Sequence, residues 1–384
     1  MKVTVAKSDL ESALAITSNT VAASGDNINA DFIFRHVDGE IEVLSYNESF
    51  FSGSPMICRV EGLDDDNRHN QFTIESKRLR RWVGAVDDSA LVFEHHRGVV
   101  KATSPRGSVK FRSKDPTSFP FWDKTLEEAK TTAKIQSSDL AAALGYAKHF
   151  VSKNETMEPH LCNCQFRGGA LLATDGASCV RVTVPGMEES SLRVPGREIG
   201  KSCKFLDVVG CEVEIYEHSR GFFLRSPDGR LFGSERQGKD FPKMGRVASA
   251  FSNAHQKWTF DKSEMLTALD ILSSSANYED NWRRSTYRVE GSFIEMSLVS
   301  ATGDTVSLSV PLLELEENTA EGTLPDKGFT LNYEYLTKIV SQYSGDRVVM
   351  GVSSQNKGGW VSFCEEIGDS KRLTVLSWVS AKAG

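Results

Sequence analysis

Lys77, Arg78, Arg80 and Arg81 crowd into five residues, and Arg197, Lys201 and Lys204 return 120 residues later at helical spacing. The offset lays Lys77 on Arg197, Arg81 on Lys201 and Gly84 on Lys204, so a cationic helix face is written twice in register. A single such face is ordinary solvated surface. Its recurrence at homologous positions favours neutralisation of phosphates along a nucleic-acid backbone, with salt-dependent contact and no reading of bases. Duplex DNA is the natural polyanion. In a third copy Lys338 matches Arg81, whereas Glu334 stands in place of Lys77.

Other constellations carry less chemistry. Gly196-Arg197-Glu198-Ile199-Gly200-Lys201-Ser202 resembles a phosphate loop, but that loop needs four residues between its glycines and here there are three. Cys162 and Cys164 would share a strand face, yet no second pair at zinc spacing exists. His95 and His96, adjacent in a strand, would point to opposite faces. No nucleophile–base order, metalloprotease motif or paired-carboxylate pattern is written in the chain. No enzyme activity, cofactor or metal is therefore expected.

The elements that must hold the cationic faces are duplicated with them. Arg97-Gly98, Ser104-Pro105-Arg106-Gly107 and Phe119-Pro120 return as Arg220-Gly221, Ser226-Pro227-Asp228-Gly229 and Phe241-Pro242. A third copy emerges at the unit starts, where Ser8-Asp9-Leu10, Ser138-Asp139-Leu140 and Ser263-Glu264-Met265 each open a helix, serine being read as its N-cap. Three domains follow, over 1–122, 132–245 and 256–384, each a helix, strands, a second helix and more strands. The class is α+β.

In the first unit, helix Ser8 to about Val21 buries Leu10, Ala13, Leu14 and Val21, and the second helix buries Leu79, Trp82, Val83 and Val86. The second unit repeats the order with helices over Ser138–Val151 and Pro195–Phe205. The third places them over Ser263–Ser275 and Asn332–Tyr343, after a polar linker from Ala248 to Lys257. Solvent positions of the first helices are small or polar, with Lys148 and His149 closing the second of them.

The 384 residues carry a net charge of −7 and 39% hydrophobic residues, enough for several cores and too acidic for a uniformly basic nucleic-acid binder. Seven cysteines, an odd number without a secretory leader, suggest reduced thiols in a cytoplasmic protein. No run is long enough to span a membrane.

Three tandem units, Ala173-Thr174-Asp175-Gly176 in the middle one, and Phe241-Pro242 followed by Arg246-Val247 together resemble the bacterial sliding clamp, the beta subunit of DNA polymerase III. The likeness spans the whole chain. It implies a homodimeric ring around duplex DNA, sheets outside and helices lining the hole, acting as a processivity factor in DNA replication. By that pattern Lys77, Arg78, Arg81, Lys148, His149, Arg197, Lys201, Lys204 and Lys338 would face DNA. Val109 and Phe111 would meet Ile271 and Leu272 across the dimer junction.

A pocket formed by Leu161, Thr174, Gly176, Pro242, Arg246, Val247 and the strand carrying Val375, Ser377, Trp378 and Val379 would hold short linear peptides of a DNA polymerase and a clamp loader. Where the family commonly has His-Arg after Asp-Gly this chain has Ala177-Ser178, and Trp378 stands where a proline-methionine ending is usual. Such departures suit a diverged member, for instance a phage-encoded one working in the host cytoplasm. An enzyme of DNA metabolism or a peptide-binding scaffold on the same repeats is the alternative.

Overall fold

The computed structural model describes every residue except 23–26, 48–49, 65–69, 88, 157, 220, 236–240, 243, 245–248, 276–283, 300–302, 319–323, 325–327, 356–357 and 381–384. Two compact units result, Met1–Ala142 with Glu189–Gly238, and Ala143–Glu188 with Lys239–Gly384. The division passes through the middle repeat, because each half of that repeat continues a sheet of a neighbour.

Within the first unit, a five-stranded sheet runs in the order Cys58–Glu61, Lys2–Ala6, Ala90–His96, Val99–Ser104 and Gly107–Arg112. Helices α1 (Lys7–Thr17) and α2 (Ser76–Ala85) pack together, and Leu10, Ala13, Leu14, Leu79 and Val83 are buried in one core with Phe34, Phe72 and Phe93. Strand Lys2–Ala6 runs straight into α1, so the helix starts at Lys7 and Ser8 lies inside it; no side chain caps it. The serine N-cap expected from the sequence is absent here. α1 stops at Thr17, leaving Val21 half-buried beyond its end.

The unit's second sheet has eight strands and joins two repeats. Strand Leu231–Glu235 of the middle repeat pairs with Phe50–Met56 of the first, in the register Leu231↔Gly53 and Gly233↔Phe51. Its core holds Ile33, Leu44, Phe51, Trp122 and Phe223. Gly233 is required there, since a Cβ would lie 2.0 Å from the Phe51 ring, itself stacked 4.2 Å from Trp122. A short helix α3 (Asp123–Glu127) and strand Lys130–Gln136, not foreseen in the sequence, lead into the middle repeat. Arg35 fastens them, donating to both Asp123 oxygens at 2.6 and 2.9 Å and to Glu42 at 2.7 Å. Helix α4 (Ser137–Ala147) opens the middle repeat, and helix α5 (Gly196–Val209) buries Ile199, Ser202, Phe205 and Leu206.

The second unit uses the same joint. Strand Ser178–Thr183 of the middle repeat pairs with the last strand, Ser370–Ser380, from Ser178↔Leu376 to Thr183↔Lys371. Helices α6 (Lys262–Ser275) and α7 (Tyr333–Ser341) pack together and bury Met265, Leu269, Leu272, Leu336, Ile339 and Val340. Asp261, not Ser263, caps α6, accepting from the backbone N–H of Ser263 at 2.8 Å and of Glu264 at 3.1 Å. The segment read as a polar linker carries buried Ala250, Ala254 and His255. Strand Thr305–Glu317 bends near Pro311: its first half pairs with Phe293–Val299 and its second with Gln256–Asp261.

Candidate functional site

On α2, Leu79 and Val83 point into the core, which turns Lys77, Arg78, Arg80 and Arg81 to solvent. Arg78 lies over the Phe111 ring at 5.4 Å. On α5, Arg197 and Lys204 are exposed, while Lys201 is half-buried with its ammonium 3.5 Å over the Phe50 ring of the preceding repeat. Burial pulls the Lys201 pKa below its ordinary value. Sequence spacing registers the position but not the ring beneath it. It also gives no sign that Glu198 is fully buried, its carboxylate 3.6 Å from Arg197.

Lys148, His149 and Lys338 occupy a different setting. They border a half-open cavity of about 590 Å³ together with Val151, Lys153, Asp175 and Tyr335. The Lys338 ammonium sits 5.0 Å over Phe150 and 5.4 Å over Tyr335, and burial lowers its pKa. Burial first, then the charges of Lys338 and Lys148, depresses the His149 imidazole too. Tyr335 is pushed up to about 12 by burial, then by the charge of the Asp175 carboxylate and its hydrogen bond to it.

The cavity adjoins the Thr174–Ser178 turn. Thr174 Oγ1 donates to the Ser178 carbonyl at 2.7 Å, and Asp175 Oδ1 accepts from the N–H groups of Ala177 and Ser178 at 3.1 and 2.8 Å. Gly176 takes φ +88°, a left-handed conformation, with Leu161 3.6 Å from where a Cβ would sit. The last strand closes the turn, Ser377 donating from its N–H and hydroxyl to the Ala177 carbonyl, both at 3.2 Å. Val375 is half-buried opposite Cys179, and the backbones of Trp378 and Val379 pair with Gly359 and Gly358. Pro242 is half-buried; Arg246 and Val247 lie outside the described residues.

Most of the described residues of the expected pocket lie on one turn and one strand end, but none of them lines the cavity, which meets the turn at Asp175. Sequence reasoning misses Tyr335, Lys153 and Val151. An aromatic off the buried stripe of α7 is the available signal for Tyr335.

Of the expected junction residues, Phe111 and Leu272 are buried within their own domains. Val109 is half-exposed on the edge strand and Ile271 is 43% exposed on α6.

Helix pairs under antiparallel sheets, with strands of one sequence repeat pairing with strands of the next, make an α+β fold. Among solved structures the chain is similar over its whole length to DNA polymerase III beta subunits. That of Pseudomonas aeruginosa gives a TM-score of 0.81 at 14% identity, covering 99% of this chain and all of that one. The Bacillus subtilis sliding clamp gives 0.81 at 16%, with both chains fully covered. The Streptococcus pyogenes beta subunit gives 0.82 at 12%, over 99% of this chain and all of that one. One P. aeruginosa clamp structure holds bound griselimycin. No family model matches the sequence, and no curated protein matches it. The fold is that of the bacterial sliding clamps.

Proposed function

We propose that the chain is a non-enzymatic DNA sliding clamp, a homodimeric ring that encircles duplex DNA and tethers a replicative polymerase. The observation that carries the reading is the repeated joint. In both units a strand following the first hairpins of one repeat pairs with the last strand of the next. The same rule leaves Gly107–Arg112, the last strand of the first repeat and an edge strand, and Thr305–Val310, the third repeat's counterpart of Phe50–Met56 and Ser178–Thr183, as the matching pair for two copies. Val109 and Ile271 supply apolar area at that joint, and pairing it removes exposed edges.

Domains over 1–122, 132–245 and 256–384 would give two copies six similar domains. The cations of α2 and α5 hold DNA loosely through phosphates, and the net negative charge repels stray encounters. The cavity beside the Thr174–Ser178 turn takes short peptides of the polymerase and of a clamp loader. No described helix is long and apolar enough to cross a membrane. The working compartment is the cytoplasm, of a host cell if the gene is a phage's.

Topological retention is the test. Dilute subunits concentrated in the presence of circular plasmid stay with the DNA through gel filtration in high salt, and a single cut in the circle releases them. Equal retention on cut and uncut DNA, or none on either, removes the reading.

A further inference from the structure

Where the first two repeats join, the sheet face of Ile33, Leu44, Phe51 and Leu231 is hollowed by two glycines, Gly53 and Gly233. A Cβ on Gly53 would stand 2.9 Å from Leu44 and 3.9 Å from the Trp122 ring, and one on Gly233 would strike Phe51 at 2.0 Å. Into this hollow the segment over residues 116–127 lays Phe119 and Trp122, both buried. Trp122 stacks on Phe51 at 4.2 Å, and Phe119 meets Tyr46 edge-on at 6.1 Å. Register identifies the same face at the second joint: Phe51↔Gly233 corresponds to Cys179↔Val375, and Gly53↔Leu231 to Arg181↔Leu373. There Arg181 and Val375 stand in the glycine places, and Cys179 and Val375 keep part of their surface exposed.

This strap is held as a ligand is held, by its side chains. The N–H groups of Phe119, Phe121, Leu126, Glu128 and Ala129 donate to carbonyls of the strap itself, so none of them extends the sheet beneath. Its polar anchor is Asp123, a carboxylate 48% exposed that accepts two hydrogen bonds from Arg35. Phe121 stays 37% exposed, with the same guanidinium 4.8 Å over its ring. From this arrangement we infer that the first joint is a second peptide pocket, occupied by the chain's own Phe119 and Trp122 and open to a partner segment bearing an aromatic side chain once the strap lifts. The inference rests on the peptide reading of the second joint and extends it to the first. Tethering at both ends gives the strap an effective concentration on the order of millimolar, which keeps free peptides out of the resting chain. Pairing of Phe50–Met56 with Leu231–Glu235 does not pass through the strap, so the repeats stay joined when it leaves.

The probe is a fluorescein-labelled synthetic peptide copying residues 115–127, followed by anisotropy against the full chain. Trp122→Ala empties the hollow while circular dichroism stays that of the folded chain, and this variant binds the peptide at least about tenfold more tightly than wild type does. The same peptide with its own tryptophan changed to alanine does not bind. Asp123→Ala, at an exposed site, frees the strap from Arg35 with Trp122 in place and raises the apparent affinity about tenfold, the scale of one charge-assisted hydrogen bond. A photoreactive phenylalanine at the peptide's Phe119 position crosslinks to Glu40–Asn47 or Phe50–Met56. Folded variants that take up no more peptide than wild type overturn the inference and make the strap permanent core; they leave the second joint's reading untouched, since neither substitution lies in that joint. Should Trp122→Ala fail to fold, Asp123→Ala decides alone. Crosslinks confined to Ala170–Thr174 or Ser178–Thr183 also overturn the inference, because the peptide then sits at the second joint, whose reading they support.

Discussion

Gly233→Ala probes the joint between repeats at its tightest point. The added methyl would lie 2.0 Å from two Phe51 ring carbons, against the 3.5–4 Å of ordinary contact between carbons, so the ring must retreat well over an ångström. It cannot do so freely, because Trp122 stacks against the ring at 4.2 Å and Phe223 lies 5.1 Å away. Overpacking of this kind costs roughly 1–3 kcal/mol, and the confinement places the variant toward the upper end. Phe51→Ala alone costs about 3–5 kcal/mol through reduced burial and a cavity. In the double variant the Gly233→Ala methyl enters the space left by the ring, so the two effects do not add, and the coupling is on the order of 1–3 kcal/mol. Urea unfolding of the four proteins, followed by tryptophan fluorescence, measures the cycle. Additive effects, or a Gly233→Ala variant within about 0.5 kcal/mol of wild type, would refute the claim that strand pairing at this glycine welds the repeats.

Three further outcomes are expected. Lys77→Gln with Arg81→Gln, both exposed on α2, lowers the slope of log affinity for duplex against log salt by about 0.9 for each phosphate no longer neutralised, read by anisotropy across a salt series. Val109→Lys on the edge strand shifts the mass measured by light scattering from two chains to one at micromolar concentration, while the circular dichroism stays that of the folded chain. Burial, then the N-terminal amine and His96, lowers the His95 pKa below its ordinary 6.5. The neutral ring is therefore favoured by folding: its contribution is present above pH 6.5 and is lost as pH falls through the lower folded value, so His95→Gln flattens the stability profile between about pH 7 and 5. The slope that persists in that variant belongs partly to His149, depressed in the same direction.

Much of the architecture is legible in the sequence because stretches of it recur. Leu79 and Ile199 are both fully buried, as the register between repeats requires, and the second helix of the third repeat buries Leu336, Ile339 and Val340. Periodicity reports which face is apolar, so the solvent side of α2 can be read directly. What it does not report is what lies across a joint. Lys201 and Lys338 occupy equivalent helix positions and read as solvent cations, yet each ammonium rests on a ring of the preceding repeat, Phe50 and Phe150. Helix starts escape local pattern for a similar reason: strand Gln256–Asp261 delivers Asp261 to the end of α6 before Ser263 can act. The Thr174–Ser178 turn is marked by its own residues, but the aromatic wall from Tyr335 arrives from a distant helix that no short-range spacing connects to it.

The proposed ring uses again, between two chains, the strand-to-strand joint that occurs twice within the chain, and electron microscopy of the wild-type protein at micromolar concentration tests this most directly. Closed rings of two copies, with a hole wide enough for duplex DNA and opened by Val109→Lys, are the predicted result; open filaments, or single chains with both edges unpaired, would contradict it.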